Sequence, residues 1–206
     1  MRRPLILLTV ALTVTAGLVV CGLLLPGEEA GRQQPPAAAT PLSGLDTDAL
    51  VAARAAFCDA VPAAWVEDVL GSEPSQAQAW GNGDTLPAAA GVRDVAHEFG
   101  CRWAAGDLAV EGWVFAPPVT AARARELVGA ARETTGCTPL PAAAALGSPS
   151  VALTCGAPHG QSTATYAGLL GDAWLTCRVT GPAARAELAE TADRWCGMVL
   201  AAAGAG

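Results

Sequence analysis

Lysine is absent from all 206 residues, so every basic side chain is arginine. Arginine is itself scarce. Beyond Arg3 there are ten arginines against nineteen acids, about −9 for that part of the chain. Nucleic-acid binders neutralise phosphates with clustered cations, so this balance disfavours nucleic acid, and an acidic domain is not drawn to anionic lipid. Close cysteine pairs are missing as well. No C-x-x-C occurs and the two histidines, His97 and His159, stand far apart, which removes the ligand spacing of a zinc site. No G-x-S-x-G turn is present: Ser162 follows Gly160-Gln161, but the second glycine is lacking. No glycine-rich phosphate loop follows a strand, and no calcium-binding run appears. His97 and Glu98 are neighbours on an expected strand, so their side chains point to opposite faces and do not pair simply. These absences leave no catalytic residue, metal ligand or cofactor to assign, and the expectation is a protein without catalysis.

What the chain does have begins at its start. Pro4 to Pro26 is one uncharged apolar stretch, with Arg2 and Arg3 before it and Glu28 and Glu29 after it. About 23 helical residues at roughly 1.5 Å each reach about 34 Å, enough for a hydrocarbon core of about 30 Å. Thr9, Thr13 and Thr15 can bond back to the helix and do not forbid insertion. The positive-inside tendency keeps the arginines in the cytoplasm. Residues 1–26 are therefore expected to be a single-pass anchor in the cell membrane, with the C-terminal part outside. Two alternatives stand beside it. A cleaved signal would have an apolar run of about 7–15 residues, shorter than this one. Lipidation at Cys21 would use Leu18-Val19-Val20, which resembles a bacterial lipobox at two places and departs from it at Val20. Residues 27–43 read as a Pro/Ala-rich linker, and 44–206 as one extracytoplasmic domain large enough for a core.

Six cysteines follow the anchor: Cys58, Cys101, Cys137, Cys155, Cys177 and Cys196. Outside the cell these read as disulfides. Six allow about 15 pairings. Order and spacing suggest Cys58–Cys101, Cys137–Cys155 and Cys177–Cys196, each contributing roughly 3–4 kcal/mol in the loop-entropy model.

The pattern along the outer chain predicts an α+β domain. Leu45 to Gly71 reads as two helical pieces, with Leu50, Ala53 and Phe57 on one face of the first and Pro62 opening the second. Residues 72–95 show turn residues and no steady period, and read as a long loop holding Trp80. His97 to Ala104 alternates, Gly106-Asp107 turns, and Leu108 to Phe115 returns as a second strand. Thr120 caps a helix that Gly136 ends. Val151–Cys155 is a short strand, His159 sits in a turn, and residues 162–170 and 173–180 form a hairpin across Gly171-Asp172. The last helix carries Leu188, Ala192, Trp195 and Val199 as an apolar stripe. The order strand, strand, helix thus occurs twice. The expected fold is an antiparallel sheet from two hairpins, packed by helices on one face, with three disulfides and one preceding transmembrane helix.

Phe57-Cys58-Asp59-Ala60-Val61-Pro62, then Val69-Leu70-Gly71 and a Cys101-Arg102-Trp103 strand, resemble small exported proteins of actinobacteria, many of them lipoproteins or anchored proteins. The arginine-only, Ala/Gly/Pro-rich composition fits a GC-rich genome of that kind. The resemblance spans roughly residues 50–200. It implies a disulfide-bonded α+β outer domain and transfers no functional residue. The functional expectation is a membrane-anchored binding or interaction domain of the cell envelope, its partner an envelope protein or a small molecule. The alternative is a small-ligand sensor or accessory domain with a cleft near loop 72–95, where Trp80 and Trp174 are the candidate contacts. An envelope hydrolase ranks below both.

Overall fold

Among the described residues seven antiparallel strands form the main sheet, in the order β1-β4-β5-β9-β8-β7-β6. They are β1 (Gln76–Trp80), β4 (Glu98–Ala105), β5 (Leu108–Phe115), β6 (Cys137–Pro139), β7 (Ser150–Gly156), β8 (Ser162–Leu170) and β9 (Ala173–Gly181). A separate two-stranded ribbon, β2 (Thr85–Ala89) and β3 (Val92–Val95), connects β1 to β4. The helices are α1 (Ala63–Leu70), α2 (Ala121–Arg132) and α3 (Arg185–Ala203). The computed structural model describes residues 38–89, 91–156, 158–182 and 184–204. The anchor expected at 1–26, with Cys21, lies outside them. Among the described residues no helix is long and apolar enough to cross a membrane.

The two predicted hairpins are present, and they meet at the centre of the sheet where β5 pairs with β9. Both turns place glycine first, Gly106 at φ 55° and Gly171 at φ 68°. That conformation matches strand twist and costs glycine nothing. Local signals also start and stop the helices. Pro62 enters α1 in an extended conformation and Gly71 leaves it left-handed at φ 72°. The Thr120 hydroxyl accepts the Arg123 N–H at the start of α2. All four residues of the α3 stripe are buried.

The helices occupy both faces of the sheet, which corrects the one-face expectation. α1 and α3 pack with Val110, Val114, Leu175, Cys177 and Val179 in the larger core. α2 packs with Val151, Leu153, Ala167, Leu169 and Trp174 in a second core. Successive strand residues face opposite ways, so Trp174 and Leu175 necessarily belong to different layers. Periodicity marks the buried stripe of a helix but not the side of the sheet it meets.

Three further expectations change. Residues 45–57 are not helical. Thr47 is buried, its hydroxyl donating to Ala145 O and accepting from Gly147 N, while Ala52 bridges Gly204 and Ala53 N–H bonds Ala203 O. Tertiary partners for these backbone and side-chain groups displace the local helix. Packed structure also begins before residue 44: Leu42 is fully buried and Ser43 donates from its N and Oγ to the Asp193 carboxylate. Loop 72–95 holds three strands, because β1 and the β2–β3 ribbon take their order from backbone pairing rather than from a buried face.

Among the described residues three disulfides join Cys58–Cys101, Cys137–Cys155 and Cys177–Cys196. The last is buried between β9 and α3.

Candidate functional site

The edge strand β1 and the segment 56–66 enclose a groove. Two cavities of about 470 and 450 Å³ lie end to end along β1 and share Cys58, Asp59 and Ala79. The first reaches from Ala79 to Gly81 and the second from Ala77 to Ala79. Ala77 and Ala79 pair with Trp103 and Cys101, so their methyl groups lie on the α1 side of the sheet and leave the space open. Phe99 and Trp103 of β4 line opposite ends, with Cys101 between them. The outer wall is Phe57, Asp59, Val61 and Val66. The Cys58–Cys101 bond ties that wall to β4, so a covalent link fixes the width of the groove. Trp103 is itself held edge-on to Trp195, 5.7 Å between centroids, and the Trp195 Nε1–H donates to Glu111 O at 2.7 Å.

The charge of the groove is one-sided. Asp59 and Asp84 are its ionisable lining residues, and both are exposed. The Asp84 carboxylate accepts Gly81 N–H at 2.7 Å. Among the described residues neither carboxylate forms an ion pair.

Trp80 stands at one end of the groove, with its ring on the opposite face over Gly100. A Cβ built on Gly100 would collide with Trp80 Cε2 and Cζ2 and lie 2.9 Å from Trp113 Cβ. Among the described residues the buried Trp80 Nε1 has no hydrogen-bond partner. Trp174, the other expected contact, is 4% exposed beneath α2, and β4 and β5 separate its strand from β1. The structure therefore does not bring Trp80 and Trp174 together, and Trp174 is core.

Beyond Trp80 the same open face carries a polar relay. Glu111 pairs with Arg102 at 3.2 Å and with Arg178 at 3.5 Å. Arg102 reaches Gln76, while Arg178 reaches Thr165 and lies 4.9 Å from the Trp113 ring centroid. These half-exposed pairs stitch five strands together, and each contributes a few tenths to about 1 kcal/mol.

His97 and His159 are both exposed, His159 in a left-handed turn at φ 59°. Among the described residues no group of His, Cys, Asp and Glu is arranged to hold a metal ion. The groove lies against residues 74–84, where the small-ligand alternative put its cleft, but the strand that borders it was not expected. Gln76-Ala77-Gln78-Ala79-Trp80 does alternate with a period of two, but polar and small residues carry that alternation.

No family model and no curated protein matches this chain. Among solved structures, the extracellular domain of PknH from Mycobacterium tuberculosis is similar at 14% identity and a TM-score of 0.42, over 78% of this chain and 97% of that one.

Proposed function

We propose that this chain is a membrane-anchored, extracytoplasmic binding module of the cell envelope, without catalysis, and that its ligand surface is the groove beside β1. The observation that carries the reading is the groove itself, open along an exposed strand and held at fixed width by Cys58–Cys101. Binding clefts combine an apolar lining with a few placed polar groups, and this one offers Phe57, Phe99 and Trp103 with two carboxylates. Three disulfides support maturation in an oxidising compartment. The anchor reading comes from the apolar stretch at residues 4–26.

Topology is tested in intact cells. Protease added from outside should remove the domain, and the six cysteines should resist alkylation until reduced. A protected domain with free thiols would refute the placement. A second reading, a small-ligand sensor, is favoured by the cavity of about 470 Å³ at the Trp80–Gly81 end. A small-molecule thermal-shift screen tests it: stabilisation should vanish when Ala79→Leu fills the groove.

A further inference from the structure

We infer that the groove takes an extended segment of a partner protein as an added strand on β1, and that this segment carries apolar side chains at alternate positions and basic residues beside them. The inference rests on the groove being the binding surface.

The two edges of the sheet are built differently. A sheet edge presents unpaired N–H and C=O groups, and proteins usually blunt it with charge, proline, a bulge or shortness. The β6 edge is blunted: it has three residues, ends at Pro139 and is pinned through Cys137–Cys155. The β1 edge is not. Its five residues hold no charge and no proline, pair with β4 in unbroken register, and are exposed from Gln76 to Ala79. Among the described residues β1 has a strand partner on one side only.

The groove runs beside this open edge. A strand added to β1 would send every second side chain toward the α1 side, at a repeat of about 7 Å. The two cavities are offset along β1 by the same two-residue step, one at Ala77–Ala79 and the next at Ala79–Gly81. Backbone pairing would supply affinity, and the two cavities would select side chains.

Charge chooses among the occupants. Asp59 and Asp84 lack ion-pair partners among the described residues, and no arginine lines either cavity. An acidic guest would be repelled and a basic one attracted. Pairing of two β1 edges would place the carboxylates of two copies around one interface, so a second copy is the poorer fit.

The full chain in lipid nanodiscs is panned against phage-displayed random peptides, and the enriched sequences are synthesised. Enriched peptides should show apolar residues two apart with lysine or arginine nearby. They should slow amide exchange at residues 76–80. N-methylating the amides that pair with β1 should weaken binding about tenfold each, the loss of one strand hydrogen bond, while methylating the alternate set should not. Asp59→Asn with Asp84→Asn should cut affinity for the basic peptides about threefold and flatten its salt dependence. Enriched peptides that protect another surface overturn the inference. So does β1 protection that rises with protein concentration without peptide, which would mean a second copy. Peptides that occupy the groove but tolerate both N-methyl sets would sink strand addition and leave the groove as a binding surface. No effect of any peptide or small molecule on β1 or the groove would remove both.

Discussion

Gly100→Ala tests the packing that holds the end of the groove. A new Cβ would overlap the Trp80 ring and stand 2.9 Å from Trp113 Cβ. The indole must swing away, exposing part of its apolar surface, and overpacking of this kind costs about 1–3 kcal/mol. An opposing term exists, because alanine loses less backbone entropy than glycine in a strand, by roughly 0.5–1 kcal/mol. The clash should win, for a net loss of about 1–2 kcal/mol. In a domain of this size that lowers the thermal midpoint by about 2–8 °C. In a Trp80→Ala background the main clash is gone, and the remaining Trp113 contact should be offset by the entropy gain. Gly100→Ala should then be nearly neutral, giving a coupling of about 1 kcal/mol or more. The assay is reversible unfolding with disulfides intact, followed by circular dichroism in all four members of the cycle. If Gly100→Ala costs the same with and without the indole, Trp80 does not lie over Gly100 and the account of this end of the groove fails.

Thr47→Val keeps shape but leaves Ala145 O and Gly147 N without their buried partner; it should cost about 2–3 kcal/mol in urea unfolding, and a neutral result would contradict the tertiary anchoring of residues 45–57. Tyr166 is the chain's single tyrosine, so its ionisation can be followed without overlap from other phenols. Burial, and secondly the Asp193 charge, push its pKa up to about 12. The unfolded chain ionises near pH 10 and the folded one later. The associated stability, about 2–3 kcal/mol, is whole below pH 10 and lost as pH rises toward 12. Titration of the tyrosinate band near pH 10 in the folded protein would refute it. Under graded native reduction, the half-exposed Cys137–Cys155 bond should open first and the fully buried Cys177–Cys196 last. Timed alkylation with mass mapping reads the order, and early release of Cys177 would contradict the burial.

The hairpins were legible because Phe99, Cys101 and Trp103 alternate with polar or small neighbours and Gly-Asp turns follow. α3 was legible because Leu188, Ala192, Trp195 and Val199 recur on one face. Residues 45–57 misled for the opposite reason: Leu50, Ala53 and Phe57 are helically spaced, yet Leu50 is 37% exposed while Ala52, off that stripe, is buried against the end of α3. β1 was missed because an edge strand with four exposed residues has little hydrophobic signal. A cleft near residues 72–95 was legible from that segment's turns and Trp80, but its other walls, from residues 56–66 and 99–103, were not, since they are joined to it by pairing and a disulfide.

By itself the sequence determined the local grammar: an apolar stretch long enough for a bilayer, two tight hairpins, the Thr120 cap of α2 and the apolar stripe of α3. Those follow from side-chain period, turn chemistry and charge, which act over a few residues. Only the tertiary structure decided which face each helix covers, which strand forms the open edge and which tryptophan is core. Those choices depend on long-range backbone pairing and close packing, where Gly100 yields to Trp80 and Trp174 disappears under α2.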